Sequence, residues 1–201
     1  LLLKMRAYGV TGNLLNWVRG FLSGRTQRVR VGDASSSDAG VLSGIPQGSI
    51  LGPVLFTIFI NDLPTCIQSS CKVFADDTKI YGKSSNSQRL QEDVDKMQEW
   101  TETWNLYFNV DKCKVLHIGK NNPCHAYYMT ANNTTSKITT CDEEKDLGVV
   151  FDKKLSFDTH IQNSINKANK MIGLIKRTFT YLDRDTFLKL YKTLVRPHVE
   201  Y

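Results

Sequence analysis

Several signatures are missing from this chain of 201 residues. The five cysteines (Cys66, Cys71, Cys113, Cys124 and Cys141) are odd in number and contain no Cys-x-x-Cys pair, so neither a disulfide framework nor a zinc ribbon is expected. The four histidines form no metal-binding spacing with them, and free thiols in a reducing compartment are the natural reading. Acid is absent from residues 1–32, where Lys4, Arg6, Arg19, Arg25, Arg28 and Arg30 stand alone. No signal peptide is expected, and the apolar stretch Ile50–Ile60 is too short to cross a bilayer, so no membrane partner is expected. No internal repeat or low-complexity tract interrupts the chain. It opens on Leu-Leu-Leu-Lys without Met and ends at Tyr201 inside a helical pattern, which suggests a piece of a longer protein.

What is present is enough for a core: 41% of residues are hydrophobic, with 9 Phe, 8 Tyr and 3 Trp. The formal net charge of +6 is unevenly spread. Residues 33–150 carry 15 acids against 10 bases, and residues 151–201 carry 10 bases against 5 acids. A negative middle between basic flanks suits a metal centre beside surfaces that hold a polyanion. Basic residues merely solvated on helix faces would give the same counts.

The local pattern predicts an α+β chain. Helices are expected over 2–8 and 13–22, the second stopping at Gly24. A strand is expected over Thr26–Val31, with a partner near Gly40–Leu42. A loop dense in glycine and proline, Ser43-Gly44-Ile45-Pro46-Gln47-Gly48-Ser49, leads into an apolar helix ending near Asp62, which we expect to be buried under a sheet. Ser85 and Gln88 have capping-box spacing ahead of a helix whose core stripe is Leu90, Val94, Met97, Trp100 and Trp104. Strands are expected over Cys113–Ile118 and Leu147–Phe151, and loop over 119–140 with a short strand near 126–129. Ile161, Ile165, Ala168, Ile172 and Ile175 mark a long amphipathic helix, and Asp183 should cap a last one. We place a boundary near Lys153, giving regions 1–152 and 153–201.

The most informative stretch is Val73-Phe74-Ala75-Asp76-Asp77-Thr78-Lys79-Ile80-Tyr81. Two carboxylates lie between short β-forming runs, which reads as a hairpin with the acids at its tip. Adjacent carboxylates repel each other and favour a positive partner, for which a hard divalent cation with oxygen ligands is suited. Asp-Asp is also a common surface turn, so the dipeptide alone leaves both readings open.

The run from Ser43 to Phe56, followed by Phe74-Ala75-Asp76-Asp77, resembles the reverse transcriptases, in particular those of non-long-terminal-repeat (LINE, jockey-like) retrotransposons. Further segments match in family order: Leu3 to Gly9, Phe108 to Lys114 (with Cys113 where Thr is usual), Asp146 to Val149, and Arg196 to Tyr201. The resemblance covers essentially the whole chain. It implies a polymerase palm-type antiparallel sheet with packed helices over 1–152 and a small helical thumb over 153–201. It also implies an RNA template, a DNA primer, deoxynucleoside triphosphates, and Mg2+ as two ions, with Mn2+ as a substitute. Residence in the nucleus and cytoplasm follows from the family.

Residue by residue, the resemblance makes Asp76 the stronger metal ligand and Asp77 its neighbour, with Phe74 near the primer terminus. Gly44, Pro46, Gln47 and Gly48 become the template and nucleotide loop. Lys112 becomes the lysine beside the leaving pyrophosphate, with Lys114 an equal candidate by charge. Leu147 and Gly148 become the primer grip, and Lys167, Lys170, Lys176 and Arg177 contacts to the nucleic-acid backbone. The family's first catalytic carboxylate lies on a strand before the residues matching Leu1–Gly9, and no acid precedes Asp33 here. The chain alone is therefore expected to be inactive. The alternatives are a non-catalytic nucleic-acid-binding remnant, or a group II intron maturase or telomerase. The Leu51-Gly52-Pro53 continuation and the Arg196–Tyr201 ending fit retrotransposons better than the latter two.

Overall fold

The computed structural model describes residues 1–131 and 134–201. It has two compact units, Leu1–Tyr107 and Phe108–Tyr201. The division by compactness thus falls after Tyr107, whereas the sequence led us to place a boundary near Lys153. The strands after Phe108 belong with the helices that follow them.

In the first unit, helices α1 (Leu2–Ala7), α2 (Gly12–Leu22) and α3 (Leu51–Ile60) share a core of Met5, Leu15, Val18 and Leu55. Helix α2 ends where Ser23 turns extended and Gly24 takes φ +67°, a conformation that glycine adopts without strain. The apolar α3 was expected under a sheet. It packs instead on α1 and α2, and Val54 on its outer side is half exposed. The expected strand over Thr26–Val31 is broken into β1 (Thr26–Gln27) and β2 (Arg30–Val31), which pair with β4 (Ala39–Gly40) and β3 (Ala34–Ser35).

Strands β5 (Ser70–Phe74) and β6 (Asp77–Tyr81) form the hairpin expected at the two acids. Burial alternates along both strands, with Cys71, Val73, Thr78 and Ile80 on the inner side, the period of two that a pleated strand imposes. Helix α4 (Ser87–Trp104) buries Val94, Met97 and Trp100, as its stripe predicted. Its capping box is not formed. A 3-10 turn over Ser84–Asn86 occupies the entry, and no side chain caps the helix. Asn105 ends it in the left-handed region at φ +51°, where Asn is tolerated.

A junction that the sequence did not reveal lies between α1, α3 and α4. Lys4 is only 5% exposed. Its ammonium donates to the Phe59 carbonyl at 2.7 Å and pairs with the Asp62 carboxylate. It lies 4.7, 4.4 and 3.9 Å from the ring centres of Phe59, Trp100 and Trp104. Burial pulls the lysine below its usual pKa, against the upward pull of Asp62. Asp62 also accepts from the Trp100 indole at 3.1 Å.

In the second unit, β7 (Lys114–Leu116) runs parallel to β10 (Thr139–Cys141), and β11 (Glu143–Asp146) pairs antiparallel with β12 (Val149–Asp152). In 119–140, expected as loop with a short strand near 126–129, that strand is β8 (Tyr128–Ala131), and it pairs with a further strand, β9 (Thr134–Lys137), that was not expected. Asn132 and Asn133, within that segment, lie outside the described residues. Tyr127, Met129 and Ile138 are buried there, too few apolar positions to show in a polar stretch. Among the described residues the strands form two-stranded ladders, one of them parallel, so the continuous antiparallel sheet expected from the resemblance is not seen. Strands of two to five residues offer little edge to propagate a wider sheet.

Helix α5 (Asp158–Thr178) buries Ala168 and Ile175 against Val195 and its neighbours. Ile161 and Ile165, counted in the same stripe, remain half exposed. Asp183 caps α6 (Arg184–Leu190) by accepting from Asp185 and Thr186 N–H, each at 2.9 Å. A wide turn over Tyr191–Val195 follows, closed by Arg196 N–H on the Tyr191 carbonyl at 2.9 Å. This five-residue step leads into α7 (Pro197–Glu200), where Pro197 has no N–H to give.

Candidate functional site

The candidate residues fall in both units, and each group is described within its own unit. In the first, Phe74 and Asp77 are the closing pair of the β5–β6 ladder. Ala75 and Asp76 form the two-residue turn, Ala75 at φ +52°. Asp76 and Asp77 are both exposed, as is Phe74 at 62%. The hairpin brings all three to one tip, as the sequence indicated. The described residues contain no group of three or more His, Cys, Asp or Glu able to hold a metal. Two adjacent hard-oxygen donors facing water nevertheless suit magnesium, which is bound through one or two carboxylates and keeps much of its water or takes substrate phosphates.

The Gly44–Gly48 loop is held at both ends. The Arg25 guanidinium donates to the carbonyls of Leu22 at 2.9 Å, Ser43 at 3.3 Å and Gly44 at 2.6 Å. The Ser49 hydroxyl donates to the Pro46 carbonyl at 2.7 Å and accepts from Gly52 N–H at 3.0 Å. A side chain at Gly52 would be tight, since a Cβ would stand 3.0 Å from the Ser49 hydroxyl and 3.1 Å from the Pro46 carbonyl. Gly44 and Gly48, at φ +75° and +79°, face open space, so their main chain is open to approach by a planar ligand. Gln47 is exposed between them. Arg25 was not singled out from the sequence, because one arginine near a strand carries no pattern of its own.

The N-terminal basic flank is engaged only in part, and Arg6, Arg19, Arg28 and Arg30 are exposed. Besides Lys4 and Arg25, Arg30 donates to the Gly32 carbonyl at 3.1 Å, and Arg28 lies 3.6 Å from Asp38. The expectation of a polyanion-holding surface at that flank is accordingly corrected for Lys4, which is buried.

In the second unit, Lys112 is exposed in a 3-10 turn over Val110–Lys112. Lys114, its rival, lies on β7 and is 3.3 Å from Glu144. Leu147 and Gly148 form the β11–β12 turn, with φ of +45° and +92°. A polar cavity of about 280 Å³ joins that turn to α5, lined by Lys145, Gly148, His160, Asn163, Lys167 and Lys170 among others. Gly148, Lys167 and Lys170 are thus brought together. Lys176 and Arg177 are not: they sit exposed in the last turn of α5. Lys145, His160 and Asn163 were missed. The helical spacing of His160, Asn163, Lys167 and Lys170 on one face was the available signal. His160 Nδ1 accepts from Val150 N–H at 3.5 Å.

Within one chain, then, an acidic hairpin tip, an open glycine loop and a lysine-lined cavity coexist. Residues 1–182 match the family model of the reverse transcriptases (RNA-dependent DNA polymerases), and the chain belongs to that family. It is 33% identical, over 92% of its length, to the RNA-directed DNA polymerase from mobile element jockey of Drosophila melanogaster, and 30% identical over 94% to that of Drosophila funebris. It is 26% identical, over 92%, to the probable RNA-directed DNA polymerase from transposon X-element of Drosophila melanogaster. It covers 21%, 22% and 21% of those three proteins, so it spans about a fifth of their length. No solved structure matches. Among the described residues no helix is long and apolar enough to cross a membrane.

Proposed function

We propose that the chain is the central part of a retrotransposon RNA-directed DNA polymerase, extending a DNA primer on an RNA template from deoxynucleoside triphosphates. The observation that carries this reading is the exposed Asp76-Asp77 tip in a chain of this family. In polymerase terms, residues 1–152 act as palm and 153–201 as thumb. Asp76 and Asp77 would hold divalent magnesium, two ions in the complete enzyme with manganese as a substitute, and the metal supplies neutralisation of charge on the phosphoryl oxygens.

The chain's own residues do the rest. The Gly44–Gly48 loop, fixed by Arg25 and Ser49, offers flat main chain to the template and the incoming nucleotide, and Gln47 hydrogen-bonds there. Phe74 packs at the primer terminus. Lys112 stabilises charge on the departing pyrophosphate or gives it a proton. Leu147 and Gly148 grip the primer, while Lys145, Lys167 and Lys170 hold phosphates of the duplex and Lys176 and Arg177 extend that track. The two carboxylates need a further one from another segment, so this chain by itself binds duplex and does not polymerise.

Fluorescence anisotropy with an RNA–DNA primer–template duplex tests the binding half. Affinity should fall steeply with salt, and Lys167→Ala and Lys170→Ala should each reduce the log–log slope by about 0.7–0.9. A slope unmoved by either variant would remove the cavity from the interface. Primer extension by this chain with Mg2+ should give no product, and robust synthesis would overturn the claim of inactivity.

A further inference from the structure

The Leu147–Gly148 turn and the end of the chain, 53 residues beyond Gly148 by number, meet in the structure. The Tyr201 hydroxyl donates to the Leu147 carbonyl at 2.5 Å. Its ring lies so close that a Cβ on Gly148 would stand 2.8 Å from Cε1 and 3.2 Å from the hydroxyl oxygen. Tyr201 as a residue is 76% exposed, so burial in a core does not explain its place. The Arg196–Glu200 ion pair, 2.6 Å, braces the turn of α7 from which Tyr201 extends.

The consequence follows from the planarity of the peptide bond. The Leu147 carbonyl and Gly148 N–H belong to one trans peptide and point in opposite directions. Fixing the carbonyl on Tyr201 therefore fixes the N–H. That N–H has no protein acceptor among the described residues, and Gly148 lines the cavity of Lys145, Lys167 and Lys170.

We propose that Tyr201 is a positioning residue: it pins the Leu147 carbonyl so that Gly148 N–H is presented as a donor to a phosphate held by the lysines. Gly148 is needed twice over, for its left-handed φ and for the absence of a side chain under the ring. The inference rests on reading the cavity as a polyanion site. It adds a directional hydrogen bond to what would otherwise be charge attraction alone, and main-chain donors of this kind fix register on a phosphate backbone.

Tyr201→Phe keeps the ring and deletes the donor on an exposed residue. In the whole chain, its Leu147 carbonyl carbon resonance should move upfield, reporting the lost hydrogen bond. On adding the RNA–DNA duplex, the Gly148 amide resonance should shift in the wild type and shift far less in Tyr201→Phe. Affinity should weaken about three- to tenfold, the worth of one hydrogen bond, with the salt slope unchanged because no charge is removed. Gly148→Ala, which displaces the ring, should move the Leu147 carbonyl in the same way. A Leu147 carbonyl unmoved by Tyr201→Phe overturns the proposal, whether or not nucleic acid binds. A shallower salt slope also overturns it. If duplex moves no resonance of wild type, the polyanion reading of the cavity falls while the carbonyl measurement still decides whether the pin exists.

Discussion

The two units differ in where their best-engaged charges go. In residues 1–107, two basic groups turn inward, Lys4 among three rings and Asp62 and Arg25 onto three carbonyls, while Arg6, Arg19, Arg28 and Arg30 stay exposed. The acids Asp76 and Asp77 face water. In residues 108–201, Lys145, Lys167 and Lys170 line an open cavity, and two acids are taken up by the main chain, as Asp93 is in the first unit. Asp152 accepts from Lys154, Ser156 and Phe157 N–H at 2.8, 3.2 and 2.7 Å, and Asp183 caps α6. Charge counted along a sequence therefore says little about charge offered to a partner. An arginine that satisfies carbonyls is no longer available to phosphate.

The comparison is most exposed at Lys4. Lys4→Ala would leave the Asp62 carboxylate without its cation, holding only the Trp100 indole, and should cost about 3 kcal/mol in urea unfolding. Lys167→Ala and Lys170→Ala, on exposed positions, should stay within about 0.5 kcal/mol. Equal losses from the two kinds of lysine would erase the contrast. Next in size, Asp76→Asn in a polymerase that includes this region should lower primer extension at least about a hundredfold, while duplex binding stays within about twofold. Binding that collapses with synthesis would mean that acid and base faces do not have separate roles.

The smallest expected effect concerns Asp93, 1% exposed in α4. Burial raises its pKa, but hydrogen bonds from Ser69 and Gln68 N–H, at 2.8 and 2.9 Å, outweigh that and leave it below 3.8. Between the folded value and 3.8 the unfolded chain binds more protons. The stabilisation from Asp93 is therefore complete above that window and lost as pH falls through it. Asp93→Asn should be less stable at neutral pH and should lose less stability on acidification below pH 3.8, measured by urea titration at several pH values. Identical acid profiles would assign the acid sensitivity elsewhere.

What could be read from the sequence was whatever repeats with a local period or a fixed motif. The hairpin at Asp76-Asp77, the Trp100 stripe of α4, the Asp183 cap and the glycine loop all depend on neighbours a few residues away. The missed features join distant segments. Lys4 meets Asp62 and Trp100, Arg25 meets Ser43 and Gly44, and Tyr201 meets Leu147. Nothing in the spacing of such pairs announces them. The errors have the same origin. The capping box at Ser85 and Gln88 gave way to a 3-10 entry, and the single apolar period of α5 did not show that Ile161 and Ile165 stay half exposed.

The ring cage around Lys4 also has an optical consequence. All three tryptophans, Trp17, Trp100 and Trp104, lie in residues 1–107, and none lies in 108–201. Two of them sit beside the Lys4 ammonium, 4.4 and 3.9 Å from their ring centres, and Trp17 stacks on Phe21 near the surface. Intrinsic emission excited at the red edge of indole absorption therefore reports one unit and is blind to the other. Followed alongside circular dichroism, which sees both, it separates the melting of the acidic hairpin's unit from that of the lysine-lined one without any added label.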